Sequence, residues 1–242
     1  MSSRPCCACT ERQTMPADYL EPYEQAVRAG GTGFESLLWR SKEFQQTRFK
    51  VLCEVAAAGL VPESEPASLK VLDGRIIADM GCGRADLLAW LTAHRVHHNR
   101  YFGIEAISDL AETCRRRIVQ ESLPEAEIIE SDFASDLSIF GSLVNDRKVD
   151  VFFFSGSLNT FDQQRAQGVI DRAFSAVASA GRGGVVFNFL SDLVRKPPSD
   201  DTGPAHRFDT MAMLRFAARL SDRVSLRHDY LQGHDATIGL FV

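Results

Sequence analysis

Apolar residues fall along this chain in short unbroken runs that alternate with longer stretches in which they recur every three or four positions. The short runs, Ile76–Ala78, Tyr101–Ile104, Ala126–Glu130, the stretch from Val149 through Phe154, and Val185–Leu190, predict buried strands. The stretches between them predict helices, one opening with Leu87, Leu88, Trp90 and Leu91 on a single face, others over Asp109–Ser122 and Asp162–Ala180, and one over Thr210–Leu220 capped by Asp209. Strand and helix in strict alternation predict a parallel sheet covered on both faces. Ahead of the first strand, Asp18–Ala29 has helical rhythm and ends in Gly30, Gly31 and Gly33, a flexible hinge. Leu37, Leu38, Phe44, Phe49, Leu52 and Val55 then predict one or two amphipathic helices closing at Gly59 and Pro62. After the last helix, Val224–Tyr230 and Thr237–Val242 predict two closing strands joined by a tight turn around Gly233.

This pattern divides the chain into a disordered tail over residues 1–16, an N-terminal helical lid over 17–62 and a main domain over 71–242, separated by a Pro/Ser/Glu-rich loop. Residues 1–14 are expected to lie outside the fold. Cys6, Cys7 and Cys9 crowd into that tail, but no paired C-x-x-C or nearby histidine completes a tetrahedral set, so no metal is expected. His94, His97 and His98 are compact, yet they fall at a helix end, where a positive charge meets the helix dipole, and read as surface residues. A chain of 242 residues, 45% hydrophobic, can bury one substantial core. Its net charge of −5 disfavours a nucleic-acid partner, and Arg115, Arg116 and Arg117 read as a solvated helix face. No apolar run approaches the ~20 residues that span a bilayer. A cytoplasmic location and a monomer or homodimer are the expectations.

The candidate chemistry centres on IIADMGCGRADLLAWL, residues 76–91, which reads as strand, glycine turn and helix. Gly81 and Gly83 let the backbone turn sharply and leave no Cβ where a ligand must approach, while the first amides of the helix point at that ligand. A dinucleotide turn would place a small residue at position 86; Asp86 stands there instead and would face a pyrophosphate with like charge. An acidic residue two places before G-x-G fits Asp79, Gly81 and Gly83. On these residues the chain resembles the class I S-adenosylmethionine-dependent methyltransferases, whose first motif runs acidic-x-G-x-G-x-G. The third glycine is Ala85, a departure expected to narrow the pocket by one methyl.

The resemblance implies an α/β fold: a doubly wound, mostly parallel seven-stranded sheet with an antiparallel C-terminal hairpin, Rossmann-like, plus the N-terminal helices. It also implies S-adenosylmethionine as cofactor, held by Asp79, Gly81, Cys82 and Gly83 at the turn. Glu105 and Ala106 follow at the end of the second strand, where a carboxylate accepts from both ribose hydroxyls. Asp132 would accept from the adenine amine, with Phe133 against the ring. Ser155 and Gly156, at the polar end of the fourth strand, would lie beside the sulfonium. Arg48, or Arg40 in its place, would pair with the methionine carboxylate, since a guanidinium suits a planar carboxylate.

The acceptor is less defined. The fourth strand lacks the Asn/Asp-Pro-Pro-aromatic motif of methyltransferases acting on planar amides and base amines, which points to a small-molecule substrate. Ser155 and Asn159 either orient it or satisfy backbone groups at the strand end. The loop 191–208 is expected to cover it, with His206 and Asp192 as titratable candidates and His206 as the catalytic base. The expected reaction is in-line methyl transfer, with catalysis mainly by orientation. The alternative is a protein that binds the cofactor without transferring its methyl, as a sensor or partner subunit.

Overall fold

A computed structural model describes residues 18–61, 65–124, 126–197 and 203–242. The organising strand is β4, Val151–Phe154, four apolar residues buried on both faces. Phe152 and Phe154 enter one core layer and Val151 and Phe153 the other, as the period of two requires. Around β4 the sheet runs in the order β3-β2-β1-β4-β5-β8-β7. Strands β1 (Ile76–Met80), β2 (Arg100–Glu105), β3 (Ala126–Glu130) and β5 (Gly184–Ser191) are parallel to β4 and to one another. β8 (Asp235–Phe241) runs antiparallel to both β5 and β7 (Arg223–Arg227). A two-residue strand, β6 (Arg207–Phe208), adds to the end of β5.

The predicted doubly wound seven-stranded sheet with an antiparallel close is therefore present, with β6 as an addition. The link between β7 and β8 is not a tight turn: residues 228–234 carry a short 3-10 turn over Leu231–Gly233. Helix α5 (Ile139–Asn145) has no counterpart in the sequence reading, because seven residues are too few to show a helical period.

One face of the sheet is covered by α5, α6 (Gln163–Ser179) and α7 (Thr210–Leu220), which supply Phe140, Ile170 and Met213 to the layer containing Phe152 and Phe187. The other is covered by α2 (Lys42–Leu60), α3 (Asp86–Ala93) and α4 (Ser108–Gln120). Helix α2 packs as a side wall of the main core. It lies across β5, β7 and β8 so closely that a Cβ at Gly59 would stand 1.9 Å from the Phe241 ring, and Arg223 Nη2 donates to the Gly59 carbonyl at 2.6 Å. Helix α1 (Glu21–Gly30) and the 3-10 segment Phe34–Leu37 precede it.

The three N-terminal cysteines and the expected tail lie outside the described residues. Among the described residues no group of three or more His, Cys, Asp or Glu is arranged to hold a metal ion, and no helix is long and apolar enough to cross a membrane. His94 is exposed and stacks on Trp90 with centroids 4.2 Å apart. Of the arginine run, Arg117 is not merely solvated: its guanidinium crosses to α3, where it pairs with Asp86 and donates to the Arg84 carbonyl at 3.0 Å.

Candidate active site

Parallel strands deliver all their C-terminal ends to one edge of the sheet, and ligands of doubly wound folds bind at that edge. Here β1 ends in the glycine turn. Gly81 and Gly83 adopt φ of +82° and +55°, a left-handed region that costs glycine little. The turn is sewn to β2: the amides of Gly81 and Cys82 donate to the Ile104 carbonyl at 2.8 and 3.0 Å, and Gly83 N donates to Glu105 Oε2 at 2.8 Å. These three amides are thus occupied by β2. What the glycines provide is close packing. A Cβ at Gly81 would stand 2.5 Å from Ser157 Cβ, and one at Gly83 2.8 Å from Leu37 Cδ2.

Ala85 also has positive φ, +59°, where the motif would have glycine. Its methyl is fully buried in the core layer shared with Leu88 and is not part of the cavity wall. The expected narrowing of the pocket by that methyl is therefore corrected: the methyl faces the core, and its cost is backbone strain of about 1 to 2 kcal/mol.

Four carboxylates surround the cavity. Asp79 is buried and accepts from the Tyr101 hydroxyl at 2.5 Å. Burial pushes its carboxyl up to about 7, the Tyr101 bond opposing this and the charges of Glu105 and Asp86 adding to it. Glu105 is raised by burial and partly relieved by backbone donors, with Ile107 N on Oε1 at 2.9 Å; it caps the entry to α4 while lining the cavity. Asp132 accepts from Tyr19 Oη at 2.6 Å and from Ala134 N at 3.0 Å. Asp86 accepts from Gln45 Nε2 at 3.1 Å as well as from Arg117. Beside Asp132, Phe133 stacks on Phe161, which in turn stacks on Tyr19 at 4.3 Å. The Tyr23 hydroxyl is pushed up to about 12 by burial and by the charge of Glu105.

At the end of β4, Gly156 (φ +74°) donates its amide to the fully buried Asn188 Oδ1 at 2.8 Å, and Asn188 Nδ2 donates to Ser155 Oγ at 3.4 Å. Trp39 closes over this point so tightly that a Cβ on Gly156 would be 2.7 Å from the indole. Asn159 is buried, yet its Oδ1 has no hydrogen-bond partner, and neither has Ser157 Oγ. A buried acceptor left open in this way is a place for a ligand donor.

On the far side of the cavity, Arg48 lies under Trp39, 4.7 Å from guanidinium carbon to ring centroid, and pairs through Nε and Nη2 with Asp235. Burial pushes the Asp235 carboxyl up, but Arg48 and His234 outweigh it and hold it below the usual carboxylate range. Two of the three nitrogens of Arg48, which was expected to pair with the methionine carboxylate, are thus taken up by Asp235. Its alternate, Arg40, lies over the Phe44 ring at 5.4 Å.

Asp79, Gly81, Cys82, Gly83, Glu105, Ala106, Asp132, Phe133, Ser155, Gly156, Asn159 and Arg48 all line one cavity of about 530 Å³. His206 does not. Its side chain is exposed, and its amide is fastened to the Asn159 carbonyl at 2.7 Å, so Gly203, Pro204 and Ala205 reach the cavity in its place. Asp192 is also outside, exposed and accepting from Thr210 N at 2.9 Å. The sequence reading passed over Tyr19, Tyr23 and His234, which line the cavity from distant parts of the chain; the doublet His234-Asp235 before the last strand was the available signal for His234.

The volume lies in the range of small-molecule sites. Carboxylates at Asp79, Glu105 and Asp132, with an open acceptor at Asn159, fit a ligand bearing positive charge, a diol and an amine, which S-adenosylmethionine is.

Residues 77–181 match the family model of a methyltransferase domain. No curated protein is significantly similar in sequence. Among solved structures, the S-adenosylmethionine-dependent methyltransferase SibL superposes with a TM-score of 0.56 at 14% identity, over 93% of this chain and 70% of that one. An O-methyltransferase family protein from Burkholderia thailandensis gives 0.53 at 15%, over 93% and 73%. The small RNA methyltransferase HEN1 gives 0.51 at 14%, over 72% of this chain but 24% of that one. At such identities these are likenesses of fold. The match assigns residues 77–181 to a methyltransferase domain, and the chain as a whole shares the fold of these solved methyltransferases.

Proposed function

We propose that the protein methylates a small-molecule acceptor by in-line displacement inside the cavity beneath Trp39. The observation that carries this reading is that one cavity is lined both by the carboxylates at the ends of β1, β2 and β3 and by Asn159 after β4, whose Oδ1 is unpartnered. S-adenosylmethionine, when bound, supplies the activated methyl. Glu105 accepts from the ribose hydroxyls, and Asp132 retains lone pairs for an adenine amine beside Phe133. Asp79 faces positive charge, while Gly81, Cys82, Gly83 and Ala106 give the close backbone wall. Ser155, Gly156 and Asn159 border the reacting centre, where Asn159 orients the acceptor. Trp39 and residues 203–205 exclude water from it, so the chain acts mainly by positioning.

The likeness to HEN1 raises RNA as the acceptor instead. A net charge of −5 and an interior ringed with carboxylates weigh against a phosphate backbone. Calorimetric titration with S-adenosylmethionine and S-adenosylhomocysteine tests the cofactor reading, and failure of both to bind folded protein refutes it. Release of S-adenosylhomocysteine on incubation with a metabolite extract, and none with RNA, is the expected outcome; release with RNA alone overturns the small-molecule reading.

A further inference from the structure

The acceptor side of the cavity holds a histidine that is arranged as a base. β8 is antiparallel to β5, and the register pairs Asp235 with Leu190, so the start of β8 lies at the same sheet edge as the ends of β1, β2 and β4. His234 therefore lines the cavity beyond β4, two strands over, away from the carboxylates of β1 to β3. Its Nδ1 is 2.5 Å from Asp235 Oδ1, and Asp235 is wholly buried and charged against Arg48. A carboxylate only accepts, so Nδ1 carries the hydrogen and Nε2 presents its lone pair. Among the described residues Nε2 has no hydrogen-bond partner. The side chain is 11% exposed and meets the Phe44 ring edge to face, with centroids 5.7 Å apart.

Resting on the methyltransferase reading above, we infer that His234 is the catalytic base of this enzyme, oriented by Asp235, and that its substrate is an aromatic hydroxyl compound. A hydroxyl keeps its proton at neutral pH until it attacks, so it is the acceptor class that a neutral imidazole serves. Trp39 and Phe49 supply aromatic faces on this side, with Leu38, Leu190 and Pro204 as apolar neighbours. In the step, the acceptor oxygen gives its proton to Nε2 and bonds the methyl carbon, whose bond to sulfur breaks with the electron pair left on sulfur. The imidazolium so formed rests against Asp235 and returns the proton to solvent. The charges around His234 are Asp235 on its own strand, Arg48 from α2, Arg207 from β6, which donates to the His234 carbonyl at 3.3 Å, and Arg40 over the Phe44 ring.

The test uses 4-nitrophenol, whose phenolate is yellow and whose methyl ether is not. Wild type, His234→Asn, which keeps an N–H for Asp235 but lacks the base, and His234→Gln are saturated with S-adenosylhomocysteine and titrated with the phenol at about pH 6, near the histidine range. Wild type is expected to bind it and to raise its phenolate fraction as if its pKa had dropped by about one unit, a tenfold change that the variants lose. With S-adenosylmethionine, loss of colour by methylation should slow by about 10²- to 10⁴-fold in the variants, and the ascending limb of the kcat/KM profile should disappear. No binding or no ionisation shift in wild type overturns the inference without any variant having to fold, and so does an equal shift or an equal rate in a variant that still binds S-adenosylhomocysteine. Wild type that fails to bind S-adenosylhomocysteine overturns the cofactor reading and this one with it.

Discussion

Replacing Arg48 with methionine leaves the Asp235 carboxylate, fully buried, without the guanidinium that neutralises it. Arg48 is itself 5% exposed, so the pair gains nothing from solvent and little from screening by salt. Removing one partner of such a pair costs about 3 to 5 kcal/mol, because the survivor is an uncompensated buried charge. With a urea m-value of about 3 kcal/mol/M for a chain of this size, the unfolding midpoint should fall by roughly 1 to 1.7 M. The pH dependence separates this cause from lost packing. In wild type Asp235 is held below its ordinary value, so its contribution is present above about pH 4 and is lost as pH falls through the folded value. In Arg48→Met burial acts unopposed and raises the same carboxyl, so the penalty is full at neutral pH and is relieved as pH falls. Urea curves at about pH 7 and pH 5 should therefore show the gap between wild type and variant narrowing. The double replacement of Arg48 by Met and Asp235 by Leu should recover most of the loss, since an apolar pair can substitute for a buried ionic one. A gap under about 1 kcal/mol, or one unchanged between the two pH values, refutes the assignment of Arg48 to Asp235 and returns it to the cofactor carboxylate.

Glu105→Ala should weaken S-adenosylmethionine binding by about 1.5 to 3 kcal/mol, the scale of hydrogen bonds to a charged group, in calorimetric titration; unchanged affinity refutes the ribose role. Asp79, pushed up to about 7, is half protonated at neutral pH, and a cationic ligand favours its ionised form. Binding at about pH 7 should then release about half a proton, seen as a dependence of the heat on buffer ionisation enthalpy, and affinity should weaken toward acid. Because the folded value lies above the unfolded one, the Asp79 contribution to the unliganded fold is full at acid pH and lost as pH rises through 7; Asp79→Asn should thus become progressively more stable than wild type from about pH 5 to pH 8. Ala85→Gly relieves left-handed strain of about 1 kcal/mol but adds a similar chain entropy to the unfolded state, so urea midpoints should hardly move and cofactor affinity should stay the same. Gly156→Ala meets both a positive φ and the Trp39 indole, and should lower the thermal midpoint while weakening cofactor binding.

The carboxylate side of the cavity was legible because its parts are local in sequence. Asp79, Gly81 and Gly83 sit within five positions, and Glu105 and Asp132 each stand where an apolar run stops. An apolar run ending in an acid is a signal that needs no knowledge of the rest of the fold, and the strands β1, β2 and β3 carried each of these residues to the shared edge. Sequence patterns also showed the side chains without showing where they would be spent. Arg48 was visible as a guanidinium on a helix, but its partner is 187 positions away on β8, and no periodicity connects the two. Ala85 was visible as a missing glycine, while only the backbone angle reveals that its methyl turns to the core.

The opposite side of the cavity was illegible because its parts are distant in sequence. Its wall is assembled from the segment before α2, the end of β4, the 203–205 loop and the start of β8, four stretches whose proximity exists only after the sheet has closed. His206 attracted attention because it stands in a long polar loop, where titratable groups are conspicuous; His234 lies between a short turn and an apolar strand, where a histidine resembles an ordinary strand end. The structure separates them. The loop amide of His206 is anchored to Asn159 and its side chain left to solvent, whereas antiparallel entry of β8 brings His234 back to the cavity beside Asp235. A parallel last strand would have delivered its C-terminal residues to that edge instead. The antiparallel strand is thus what lets this fold place a residue from the chain's final segment opposite the carboxylates at the ends of its first three strands.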